Sequence, residues 1–170
     1  MTHLMYQASV PVFVRGLGNL AEILRKAAAH AQTKKIDPSV LVNARLYPDM
    51  LPLSRQIQIA TDHAKNASSR VSGAERPAFD DNETTFDQLQ ERIAKTIAYV
   101  QTLKPEQFAG SESRDVTLPV RGKDVTLKGE AYLNLFALPN FYFHTVAAYA
   151  ILRENGVEIG KMDFLGAMPD

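Results

Sequence analysis

The chain has 170 residues, 45% of them hydrophobic and 22% charged, with 19 basic and 19 acidic side chains. That length carries one domain with a real core, and the neutral balance gives no electrostatic footing for nucleic acid or an anionic membrane surface. There is no cysteine, which excludes disulfides, zinc ribbons, thiolate catalysis and iron–sulfur clusters.

The first helix is expected over Met5 to Ala31. Val10, Phe13, Val14, Leu17, Leu20, Leu24, Ala27 and Ala31 recur at three- and four-residue steps, which marks one buried face. Pro11 belongs in its first turns or kinks it. "QTKKIDPSV" is a connection, followed by a short helix after Asp37 and a turn set by Pro48 and Pro52. The second helix begins near Pro52 and runs to about Ser72, with Leu53, Ile57, Ala60, Ala64, Ala67 and Val71 as its stripe. The alanines there imply a close helix approach or space for a ligand. "SGAERPAFDDNE" is a loop.

The third helix starts at Thr84 or Thr85, either of which can cap it. Phe86, Leu89, Ile93, Ile97, Val100 and Leu103 carry its period. The period then changes to two, and "DVTLPV" and "KDVTL" read as a hairpin around Arg121-Gly122. The fourth helix covers Glu130 to Asn155, with a kink expected at Pro139 and a C-cap at Gly156. The tail from Val157 reads as extended, with Ile159 and Phe164 laid on the bundle. The fold class is therefore all-α: a four-helix bundle over residues 1–170, one domain, with a small β-hairpin between helices three and four.

No leader is read at the N-terminus. No run reaches the roughly 18 uncharged apolar residues of a membrane span, residues 131–152 coming nearest. A reducing cytoplasm is the expected setting.

The polar residues that face inward point to a site. At about 100° per residue, Leu133, Ala137, Phe141, Ala148 and Ile151 all fall within about 60° of His144, and Asn140 lies one turn before it on the same side. On the second helix His63 shares a face with Ala60 and Ala67, at the edge of the stripe. Neutral imidazoles from two facing helices supply half of a metal's coordination shell. The same pair also reads as hydrogen-bonded core groups. Tyr6 and Tyr142 could line a pocket or simply pack with a wet hydroxyl. Arg45 and Tyr47, with Asp49, could close one end of that pocket or fix the loop through an Arg–Asp pair. His30 reads as surface capping near a helix end, and His3 as terminal. There is no glycine-rich phosphate loop, no dinucleotide fingerprint and no nucleophile with a readable base.

Four helices, a histidine in the second, a hairpin before the fourth, and "HTVAAYAILRENG" together resemble the DinB/YfiT-like superfamily. "MYQASVPVFVRGL", "RLYPDMLPLSRQI", "ALPNFYFHTVAAYAILRENG" and "IGKMDFLG" resemble more closely a bacterial branch of domains of unknown function. The resemblance implies a bundle that dimerises, with a divalent metal such as zinc or nickel held by three histidines at one end. Some members are thiol-dependent transferases or isomerases. Carried over, His63 matches the ligand of the second helix. His144 matches the second histidine of the pair on the fourth, and Asn140 stands where the first would be.

Three functions follow as expectations: a metal-assisted enzyme using His63, His144 and Asn140; a protein binding a small molecule without catalysis; and a structural module acting through a homodimer face.

Overall fold

The computed structural model describes residues 4–168, and His3 lies outside the described residues. A short helix α1 (Leu4–Gln7) precedes α2 (Val10–Lys34). The sequence predicts one helix here, and the chain breaks it at Ala8–Ser9. Pro11, in the first turn of α2, has no N–H to continue the ladder. The Ser9 hydroxyl instead donates to the Met5 carbonyl at 2.6 Å. Helix α3 (Pro38–Val42) is capped by Asp37, whose side chain accepts from the Ser39 N–H.

Helix α4 (Leu53–Ser72) follows Pro52 and stops at Gly73, which takes the left-handed conformation at φ 76°. Its predicted stripe, from Leu53 to Val71, is fully buried. Helix α5 (Phe86–Thr102) starts at Thr85 in a reciprocal capping box with Gln88. Strands β1 (Asp115–Val120) and β2 (Lys123–Lys128) pair antiparallel, with Val120 opposite Lys123. Arg121 and Gly122 both have positive φ, the type I′ geometry that matches strand twist.

The fourth bundle helix is built in three pieces. Helix α6 (Gly129–Tyr132) passes into a π-helical turn (Leu133–Ala137) and then α7 (Leu138–Glu154). The Leu138 N–H reaches back five residues to Leu133, one register wider than α-helix. Pro139 explains the shift, because its ring cannot pack against a normal preceding turn. Gly156, at φ 83°, ends the element as expected. The tail corrects the extended reading: Lys161–Leu165 form a short helix, α8, opened by Gly160 and the Asp163 side chain. Residues 129–154 are long and apolar enough by length and composition to cross a bilayer, but in this fold their inner face packs on α4.

Helix α5 packs between α2 and α4, and α4 between α5 and α7. The core runs continuously from Met5 to Ile159. Because it lies in the middle, α4 is buried nearly all round, polar residues included: Gln56, Gln58, Thr61, Lys65, Ser68 and Ser69 are all inside. Buried polar groups need partners, and on the α5 side the partner is Arg92. Its guanidinium, 1% exposed, meets Asp62 at 3.0 Å, Asp81 at 2.9 Å and Glu83 at 3.0 Å. Its Nε donates to the Thr61 hydroxyl at 2.7 Å. Lys65 is also buried and reaches Asp62 at 2.8 Å, while Arg55 holds Asp81 at 2.7 Å. Three cations thus balance three carboxylates, and the loop before α5 is tied down on α4.

Burial works against ionisation of Asp81, but the adjoining Arg55 and Arg92 prevail and hold its carboxyl below the ordinary range. Removing the hub leaves three partly buried carboxylates with only Lys65 and Arg55 beside them, and Glu83 with no cation of its own. Arg92→Met is expected to cost about 3 kcal/mol, read as a lower urea midpoint with unchanged slope. A loss well under 1 kcal/mol would mean that the network is ornamental to stability.

Candidate functional site

Seven-residue spacing puts Gln56, His63 and Arg70 on one line along α4, because seven residues make nearly two turns. Along the facing element, Tyr132, Phe136, Asn140 and His144 step by four. The two lines meet. The His63 and His144 rings stack with centroids 5.9 Å apart and planes 15° apart. His63 also lies 5.8 Å from the Phe136 ring, and Arg70 sits 5.8 Å over Tyr132. The alanines of α4 resolve as close approach: Ala60, Ala64 and Ala67 are fully buried against their neighbours.

Gln56 sets the chemistry of His144. Its Nε2 donates to the Leu51 carbonyl at 3.1 Å. This turns its Oε1 toward His144, where it lies 2.7 Å from Nδ1. The oxygen can only accept, so Nδ1 carries the proton and Nε2 keeps a lone pair. His144 is 8% exposed, and burial lowers its pKa. For His63 burial acts first and the neighbouring His144 second; Asp62 only partly offsets them, and the pKa falls to about 4. Both rings are neutral at pH 7, each with one nitrogen lone pair to offer.

The third expected ligand, Asn140, donates its amide nitrogen back to the Phe136 carbonyl at 2.7 Å, within the register change that Pro139 creates, and this bond leaves its oxygen, the weak ligand atom, uncommitted. Among the described residues no group of three or more histidine, cysteine, aspartate or glutamate side chains is placed to hold a metal ion. Two imidazoles and one amide oxygen supply two strong donors, where a catalytic zinc ordinarily takes three.

The other candidates are scattered. Tyr6 packs edge-on against Phe108 at 5.3 Å. Tyr142 faces away from His144, into a groove against α2. Tyr47 is 66% exposed. Arg45 fixes its loop through the Met50 carbonyl at 2.5 Å, in place of the expected Asp49 partner. Gln56 escaped the sequence reading, although its position seven residues before His63 announces the shared face.

The helix order, the hairpin and the inward histidines define a DinB-like bundle. The chain belongs to the family described as Domain of unknown function (DUF1993), whose model matches residues 5–165. It is similar to a DinB family member protein from Shewanella denitrificans, known from a crystal structure: identity is 42%, the TM-score is 0.93, and the match covers 98% of this chain and 94% of that one. No curated protein matches it.

The lowered histidine pKa values make stability depend on pH. Below about pH 6.5 the unfolded chain takes up protons that the folded imidazoles refuse. Stability present above that pH is lost as it falls toward about 4, the folded value of His63. The loss for His63 approaches about 3 kcal/mol. Urea unfolding of His63→Gln between these limits should show a shallower acid slope; an unchanged slope would assign it to other groups.

Proposed function

We propose that this DUF1993 protein binds a small, uncharged molecule between α4 and α7, without a resident metal and without catalysis of its own. The observation that carries this reading is the relay from the Leu51 carbonyl through Gln56 to His144 Nδ1. It costs two buried polar side chains and leaves one well-oriented acceptor, His144 Nε2, beside a second neutral imidazole. Such a pair suits a ligand that donates hydrogen bonds, held among apolar neighbours such as Phe136. The π-turn supports the same reading, since such turns are common at functional sites.

A divalent metal, zinc or nickel, is the competing occupant. A histidine whose Nδ1–H is fixed by a carbonyl group is also the usual form of a metal ligand. Two imidazoles alone bind such ions weakly. The expected homodimer belongs to this proposal too, supported by the apolar outer face of the fourth bundle helix, where Leu135 of the π-turn and Phe143 and Val146 of α7 are exposed. A cytoplasmic setting agrees with the absence of cysteine.

Thermal-shift screening of uncharged hydrogen-bond donors, repeated on His144→Ala, tests the ligand reading. Hits should raise the midpoint of the parent and lose their effect in the variant. Stoichiometric, submicromolar zinc or nickel binding by calorimetry would instead establish the metal site. Sedimentation velocity should show a dimer that Phe143→Lys converts to monomer; a parent that is monomeric at all concentrations would end that part.

A further inference from the structure

On the flank of α7, about a quarter turn round from His144, a partly enclosed cavity of about 170 Å³ lies between α2, α7 and α8. Its walls include Leu20, Ile23, Phe141 and Phe164. Gly16 forms part of the floor. A side chain there would start 2.7 Å from the Phe141 ring, so the glycine is what lets that ring lie against α2.

Most polar groups around this space are engaged with the C-terminal segment or the helix backbone, and none of the lining residues is acidic. Arg15 donates to the carbonyls of Leu165, at 2.9 Å, and Ala167, at 2.7 Å. Asn19 Nδ2 donates to the Phe164 carbonyl at 2.9 Å, and the Thr145 hydroxyl to the Tyr142 carbonyl at 3.1 Å. Lys26 pairs with Asp163 at 2.5 Å. What remains for an occupant is apolar wall, with the exposed Arg15 guanidinium at its rim. The same contacts clip residues 163–167 across the cavity as a strap. The strap buries little of itself: Leu165 is 38% exposed, Met162 just before it 60%, and α8 has no fully buried residue. Segments held by exposed polar contacts with little apolar burial open at low cost.

We propose that this cavity is a second ligand site, independent of His63 and His144, for one small uncharged aromatic molecule admitted by opening of the C-terminal strap. An apolar cavity of roughly 150 Å³ is known to accept a single benzene-sized ring, so the volume here suits an occupant of that class. An ammonium would be stripped of water beside the Arg15 guanidinium, with no carboxylate among the lining residues to receive it.

Toluene is the probe. Titrated into the full-length protein and followed by amide NMR, it should give saturable shifts centred on Gly16, Ile23, Thr145 and Phe164. Benzylammonium at the same concentration should give none. Val12→Phe places a ring at the cavity's edge and should abolish toluene binding. Phe164→Ala removes one wall and should weaken it by about tenfold, and it serves equally if the Val12 variant folds poorly. His63→Ala should leave toluene binding unchanged, so failure at the histidine site and failure here are read separately. Shifts that do not saturate, that map elsewhere, or that persist unchanged in both cavity variants overturn the proposal.

Discussion

The buried guanidinium of Arg92 is the contact from which the geometry of the site follows. It binds carboxylates on α4 and on the preceding loop at once, and so fixes how α4 is rolled about its own axis. Asp62 and Lys65 must face α5. His63, about 100° further round from Asp62, is thereby turned toward α7. A helix buried on all sides has few ways to sit, and one whose opposite faces both carry polar groups has fewer. The ionic face and the imidazole face of α4 each specify the same orientation.

The partner line arrives by a different device. Pro139 cannot be threaded into an unbroken α-helix, and the π-turn before it changes the register by one residue. Asn140 is then drawn back to the Phe136 carbonyl, while His144 lands beside His63. Desolvation keeps both rings neutral. Neutrality with one fixed tautomer makes this a hydrogen-bonding or lone-pair site. It offers two of the three imidazoles that the wider superfamily resemblance implies.

Much of the scaffold was readable from periodicity, because long helices bury one stripe and hairpin turns demand particular residues. Phe86 to Leu103 and Arg121-Gly122 illustrate both. His63 and His144 were also readable as inward groups on facing helices. What stayed hidden depends on contacts between distant segments. Arg92 sits beside the apolar stripe of α5 and looks like a solvated charge until Asp62, Asp81 and Glu83 converge on it. Gln56 looks like a surface residue until α7 covers it. The break at Ser9 and the π-turn are local consequences of proline whose position could be anticipated but whose form could not. Helix α8 was missed because five residues are too few to show a period; its opening through Gly160 and Asp163 was the available signal.

The most direct test is an imidazole nitrogen NMR titration of the parent protein. His144 should appear as the Nδ1–H tautomer at neutral pH, and His63 should stay unprotonated until about pH 4. Either ring titrating with an ordinary midpoint near pH 6.5, or His144 protonated on Nε2 instead, would contradict a shared buried interior for the two histidines.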